Sequence, residues 1–294
     1  MYRKKKTKIT SLDIILLSVF LIGVAFVVYR VTVSLNYKWN WGAMLQYIVR
    51  YDKETHRYVS NLLLQGMFTT LRLSFWGTLL AIIFGLVMGL FRVSTSLFKR
   101  MVGRSYVELI RNMPPLVFIF IFYFFLSDQI MPLLGVDDFI RSSSPGVQNF
   151  FDIILASPEL FSATVSALFA LGIFEGAYIT EIVRAGIQSI ERGQWEASYG
   201  LGLSKYQQMR YVILPQALQR ILPPLAGQFI SLIKDSAIVS VISVQELSFQ
   251  GTQIMASTYY TIEIWTFVAA LYLIMTLSCS LAVERLEVHM ARSR

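Results

Sequence analysis

The sequence predicts an all-α polytopic membrane protein with six transmembrane helices, and three observations predict it. Hydrophobic residues make up 55% of the 294 positions, a share too high for a soluble domain. They fall in runs at 14–29, 73–91, 116–126, 160–174, 221–233 and 262–283. Several runs take in partly polar flanks to reach the roughly 20 residues that a helix needs to cross a bilayer. Basic residues cluster in alternate connecting segments, as membrane orientation requires.

Arg3, Lys4, Lys5, Lys6 and Lys8 precede span one, and Arg92, Lys99, Arg100 and Arg104 join spans two and three. Arg184, Arg192, Lys205 and Arg210 join spans four and five, and Arg285, Arg292 and Arg294 follow span six. The net charge of +8 therefore reports topology, and both termini are expected in the cytoplasm. The opposite side carries Arg141 and a first loop where Asp52 and Glu54 offset part of Lys38, Arg50, Lys53 and Arg57. The N-terminal apolar run is long for a signal peptide and no small-residue cleavage site follows it, so it is expected to remain as an anchor. Residues 1–35 read as a basic cytoplasmic tail and anchor helix, 36–59 as an external linker, and 60–288 as the main transmembrane domain.

Within that domain, Gly85-x-x-x-Gly89 in span two leaves one helix face bare, where a second backbone can come close. Glu108 and Arg111, three residues apart, can neutralise each other at the start of span three. Pro114-Pro115 and Pro223-Pro224 remove donors and crowd the preceding turn, which predicts a bend or break in spans three and five. The external segment 127–158, punctuated by Pro132, Gly135, Pro145 and Gly146, predicts short amphipathic pieces at the membrane interface. Cys279 is the single cysteine, which excludes an intrachain disulfide and a cysteine metal cluster.

No Gly-Lys dipeptide occurs, so the chain lacks a phosphate-cradling loop of the Walker type. His56 and His289 stand far apart with no H-E-x-x-H, and no G-x-S-x-G turn is present. No catalytic residue, resident cofactor or metal site is expected.

The polar segment 187–211 reads as a short helix, a turn at Gly200 and Gly202, and a second helix capped by Ser204 with Gln207 three residues on. This is a helix-turn-helix. It is tethered to spans at both ends and its basic residues are those of a cytoplasmic face, so nucleic acid is not an expected partner.

The spacing of Glu196, Ala197, Ser198, Gly202, Val212, Leu214 and Pro215 resembles the E-A-A-x3-G-x9-I-x-L-P loop of bacterial ABC importer permeases, with Ser198 in an Ala position and Val212 in an Ile position. Thr69-Thr70-Leu71-Arg72-Leu73, Tyr106-Val107-Glu108-Leu109-Ile110-Arg111, the run 177–187, Leu214-Pro215-Gln216-Ala217 and Ile233-Lys234-Asp235-Ser236 resemble the polar amino acid branch (His/Glu/Gln/Arg/opine) of that family. Arg111-Asn112-Met113-Pro114 departs from the R-G-T-P common there. The resemblance implies the five-helix core of a type I importer plus one N-terminal helix, in a bacterial inner membrane. It also implies that Gly193, Gln194, Trp195, Glu196, Ala197, Ser198, Gly200 and Gly202 form a coupling helix and turn. That helix would seat in a separate ATP-binding subunit, which holds the ATP. The further partners implied are an extracytoplasmic solute-binding protein, a second permease subunit and an amino acid substrate. Trp195 and Glu196 would offer the partner an exposed aromatic anchor and a charge.

An ionisable group inside a bilayer is costly unless paired or hydrated, so such groups point to a substrate path. Glu175 in span four and Lys234, Asp235 and Ser236 in span five are the candidates. Glu181 and Arg184 read as a structural pair. Lys234 and Asp235, being adjacent, point about 100° apart. Glu175 has no local partner: it either receives the α-ammonium of an amino acid or pairs with Arg72, Lys234 or the second permease. The rival reading is a secondary transporter or channel, which has no use for the cytoplasmic loop.

Overall fold

The computed structural model describes residues 10–34, 37, 39–54 and 56–292. The basic N-terminal cluster, Lys38 and Arg294 lie outside the described residues. The chain divides into two units, Met1–Trp41 and Gly42–Arg294.

Helix α1 (Ser11–Ser34) belongs to the first unit. Its start is closed by Thr10, whose backbone N and Oγ1 both donate to Asp13 Oδ2 at 2.8 Å. Its apolar side chains are exposed on every side, the pattern of a helix whose solvent is lipid. Beyond its end the rings of Trp39 and Trp41 stack at 5.7 Å, as aromatics do at a membrane boundary.

The segment expected as a bare linker is structured. A 3-10 turn Trp41–Met44 and a helical turn Leu45–Ile48 lead into an antiparallel hairpin of β1 (Val49–Asp52) and β2 (Arg57–Ser60). Tyr51 pairs with Tyr58 across it, their rings edge to face at 5.3 Å, a favourable cross-strand contact. Met44 is fully buried in a cluster with Leu63, Ile233 and Leu247, so this segment packs on the main unit.

The remaining helices are α2 (Leu62–Val93), α3 (Leu97–Arg111), α4 (Pro115–Leu133), α5 (Val136–Ser142), α6 (Pro145–Ile154), α7 (Phe161–Gln188), α8 (Arg192–Gly200), α9 (Lys205–Ile242), α10 (Leu247–Thr258) and α11 (Thr261–Arg292). Among the described residues six helices, α1, α2, α4, α7, α9 and α11, are long and apolar enough to cross a membrane. The segment 127–158 contains three short helical pieces, the end of α4 and helices α5 and α6, as its prolines and glycines predict.

The centre of the bundle is the α2–α7 pair. On α2 the buried positions are Leu63, Gly66, Thr70, Leu73, Ser74, Gly77, Thr78, Ala81, Gly85 and Gly89, a three-to-four-residue stripe of mostly small side chains. Such stripes let membrane helices approach closely. A Cβ on Gly89 would lie 2.6 Å from Val183 Cγ1, one on Gly172 would lie 2.7 Å from Leu80 Cβ, and one on Gly85 would overlap Ile179. The close approach expected from the Gly85 and Gly89 spacing is present, and α7 is the partner.

The break expected at Pro114-Pro115 is present, since α3 ends at Arg111 and Pro115 opens α4 at a position whose N–H needs no partner. Two other expectations need correction. Pro223-Pro224, by contrast, lies inside a helix that runs from Leu214 to Asp235 without a break; packing on α7 and α11 holds it, as neighbours do for prolines in membrane helices. The second correction concerns Glu108, which pairs with Arg104 at 3.7 Å. Arg111 turns instead onto the ring of Tyr178 on α7, 5.0 Å from its centroid.

Candidate functional site

The polar hairpin between α7 and α9 is built as its sequence predicts. Gly202, at φ +75°, takes a left-handed conformation that glycine adopts without strain. Ser204 Oγ then accepts from Gln207 N at 3.3 Å, while Ser204 N donates to Gln207 Oε1 at 2.9 Å, the reciprocal capping box. Gly200 and Gly193 have ordinary helical backbones with open space where a Cβ would stand. The reversal therefore depends on Gly202 and not on Gly200.

Helix α8 presents different side chains from those expected. Trp195 is half-buried against the cluster of Ile187, Ile190 and Ile213, so its indole anchors the hairpin to its own spans. Ser198 is buried and donates to the Trp195 carbonyl at 2.9 Å. Glu196 is exposed but engaged by Arg192 at 2.8 Å, an i,i+4 pair on the same helix. Gln194 accepts from Gln216 at 3.1 Å, and Ala197 is exposed. The outward apolar groups are Tyr199 at 77% exposure, Leu201 at 79% and Tyr206 at 70%. Their signal in the sequence was three large apolar residues in a polar loop, which the prominence of the Trp-Glu pair concealed.

The second cluster lies between α7 and α9. Glu175 is 1% exposed. Its Oε2 accepts from Gln228 Nε2 on α9, and its Oε1 has no hydrogen-bond partner among the described residues. The Asp235 carboxyl meets it from the same helix as Gln228, a side-chain contact that is a hydrogen bond when either acid carries a proton. Of the four candidates, then, Glu175 and Asp235 come together. Lys234 is exposed, turned away from Asp235 as the helical pitch demands. Ser236 is buried with its hydroxyl donating to the Ile233 carbonyl at 2.9 Å. Arg72 donates to the Asp152 carbonyl at 3.0 Å, capping the end of α6, and is not a partner of Glu175.

Gln228 opens onto a cavity of about 630 Å³ lined by Arg111, Tyr178, Glu181, Arg184, Ser189, Arg220 and Pro224 among others, a size typical of ligand pockets. Glu181 is held by Arg184 at 2.7 Å and by Arg92 at 2.9 Å. The Glu181–Arg184 pair is present as read from the sequence, and Arg92 is an addition that only packing brings. Gln228 and Arg220 were legible as polar residues at eight-residue spacing on one face of span five.

A second buried carboxylate, Glu246, escaped the sequence reading. It is 0% exposed and caps α10: Oε1 accepts from Phe249 N at 2.8 Å, and Oε2 from Tyr272 Oη at 2.6 Å and Thr70 Oγ1 at 3.4 Å. Burial pushes its carboxyl above the ordinary range, and these hydrogen bonds oppose that shift. It joins α2, α10 and α11.

The chain is similar to known transport proteins over most of its length. It is 31% identical over 233 residues to the probable glutamine ABC transporter permease protein GlnM of Bacillus subtilis, covering 79% of this chain and 95% of that one. It is 36% identical over 226 residues to the glutamine transport system permease protein GlnP of Escherichia coli, covering 77% and 91%. Among solved structures, the crystal structure of an amino acid ABC transporter with histidines superposes with a TM-score of 0.65 at 31% identity, covering 86% of this chain and 100% of that chain. The MetNI methionine ABC transporter shares the fold, with a TM-score of 0.58 at 20% identity over 78% of this chain and 95% of that one. With residues 60–293 matching its family model, and with six candidate spans and a polar helical hairpin between α7 and α9, this chain belongs to the family of binding-protein-dependent transport system inner membrane components.

Proposed function

We propose that this chain is the permease subunit of an ATP-driven importer for polar amino acids. It forms the translocation path together with a second permease subunit. A separate ATPase subunit holds the ATP and receives α8, and an extracytoplasmic solute-binding protein delivers the substrate. The chain resides in a bacterial inner membrane with both termini and the 187–211 loop in the cytoplasm. Membership of the family and the amino acid permeases among its relatives support the substrate class. The observation that carries the coupling role is the hairpin of α8, the left-handed reversal at Gly202 and the capped start of α9, which together expose Tyr199, Leu201 and Tyr206. A secondary carrier has no reason to build it.

Glu175 serves the path. Two buried carboxyls side by side, Glu175 and Asp235, favour a cation between or beside them, and the α-ammonium that every amino acid carries fits that need. The test is reconstitution of the chain with its genomic neighbours, followed by uptake of a labelled panel of glutamine, glutamate, arginine and histidine. ATP-dependent accumulation of at least one is expected. Uptake that persists without any ATPase subunit would favour the secondary carrier. For topology, a Tyr199→Cys substitution on a Cys279→Ser background should label from the cytoplasmic side alone.

A further inference from the structure

We infer that the cavity between α3, α7 and α9 is a carboxylate-binding site in which Arg111 is the receiving group; this rests on the amino acid reading above. The donors rank the three arginines by how far each is engaged. Arg184 spends its Nε and Nη2 on Glu181 and its Nη1 on Gln188. Arg220 donates one Nη to the Ser189 carbonyl. Arg111 makes no hydrogen bond or ion pair among the described residues; its guanidinium carbon lies 5.0 Å from the centroid of the Tyr178 ring. A cation–π contact uses none of the guanidinium N–H donors, so they remain for a carboxylate, which they can meet through two parallel hydrogen bonds.

Charge points the same way. The lining holds three guanidinium groups and one carboxylate, Glu181, and that carboxylate is already shared between Arg184 and Arg92. The cavity is therefore short of negative charge, and a low-dielectric wall sharpens its attraction for an anionic group. The opposite need lies one turn away. Tyr178 follows Glu175 by three residues on α7, about 4.5 Å along the helix axis, and Gln228 connects the cavity lining to the Glu175 carboxylate. A positive edge at Arg111 and a negative group behind Gln228 fit the two ends of a zwitterion. The amino acid would sit with its carboxylate at Arg111 and its ammonium toward Glu175, and the side chain would be read elsewhere. Arg111 thus selects for amino acids as a class over amines.

The test uses the purified permease–ATPase complex without binding protein. Equilibrium binding of labelled glutamine, glutamate, arginine or histidine is competed with the corresponding decarboxylated amine: 4-aminobutanamide, 4-aminobutanoate, agmatine or histamine. The complex is expected to prefer the amino acid at least tenfold. Arg111→Gln should bring that ratio near one, and Arg111→Lys should restore part of it, while both retain the ATPase at normal stoichiometry. A structural role for Arg111 would lower binding of both ligands and leave the ratio alone. A wild-type ratio near one, or an Arg111→Gln complex that keeps the wild-type ratio, overturns the inference. Failure of the amino acid importer reading shows separately, as a complex that recruits no ATPase and accumulates no amino acid.

Discussion

Glu175 and Glu246 are equally buried, at 1% and 0% exposure, yet their surroundings differ in one respect that separates structure from function. Glu246 has both oxygens bonded, by a backbone amide and two hydroxyls from three different helices. Glu175 has one side-chain amide on Oε2 and otherwise faces only a second acid, Asp235. A buried carboxylate with every acceptor filled fixes a fold, because removing it strands its donors. One set against a second carboxyl has been kept at a cost that packing alone does not explain.

Substitution should pull the two apart. Glu246→Ala is expected to have the largest effect on stability, about 3 kcal/mol, because it removes the α10 cap and leaves Tyr272 and Thr70 unpaired. The unfolding temperature of the detergent-purified protein should fall and expression should drop with it. A variant as stable as the parent would erase the contrast. Glu175→Gln should leave unfolding temperature and assembly intact, since the amide can still bond Gln228, yet cut ATP-driven uptake at least tenfold. Uptake at the parental rate would place Glu175 beside Glu246 as a structural group.

The glycines give a parallel contrast. Gly85 and Gly89 are needed for contact, whereas Gly202 is needed for backbone conformation and has nothing within 4 Å of a Cβ. Gly202→Asp should therefore cost only about 1 kcal/mol of backbone strain, so the chain still inserts. It should nevertheless weaken ATPase recruitment and reduce uptake several-fold, as copurification and transport assays would show. Normal stoichiometry with normal coupling would remove α8 from the coupling role. The smallest effect is expected from Tyr199→Ala, a two- to threefold loss of coupled hydrolysis with no change in unfolding temperature, following the few-residue character of interfaces. Trp195→Ala should do the reverse, lowering stability because its indole packs inward. If Trp195→Ala instead affects only coupling, the side chains α8 offers its partner have been misidentified.

Span count, the Gly85 and Gly89 contact face and the Ser204 capping box were legible because each depends on residues close in sequence: runs of apolar side chains, i,i+4 spacing, and a cap with its partner three residues away. The sequence by itself also identified Glu175 and Asp235 as ionisable groups at membrane depth. Tertiary structure alone decided which groups met. Gln228 lies 53 residues from Glu175, and Glu246 lies 176 from Thr70; no local pattern encodes contacts at that separation. Arg111 offers the same lesson, since its spacing favours Glu108 while the approach of α7 draws it onto Tyr178. Likewise the direction in which Trp195 points depends on the hydrophobic cluster that the ends of α7 and α9 assemble beneath it. Local spacing sets what a side chain can reach within its own helix, and packing between distant helices sets which of those possibilities is realised.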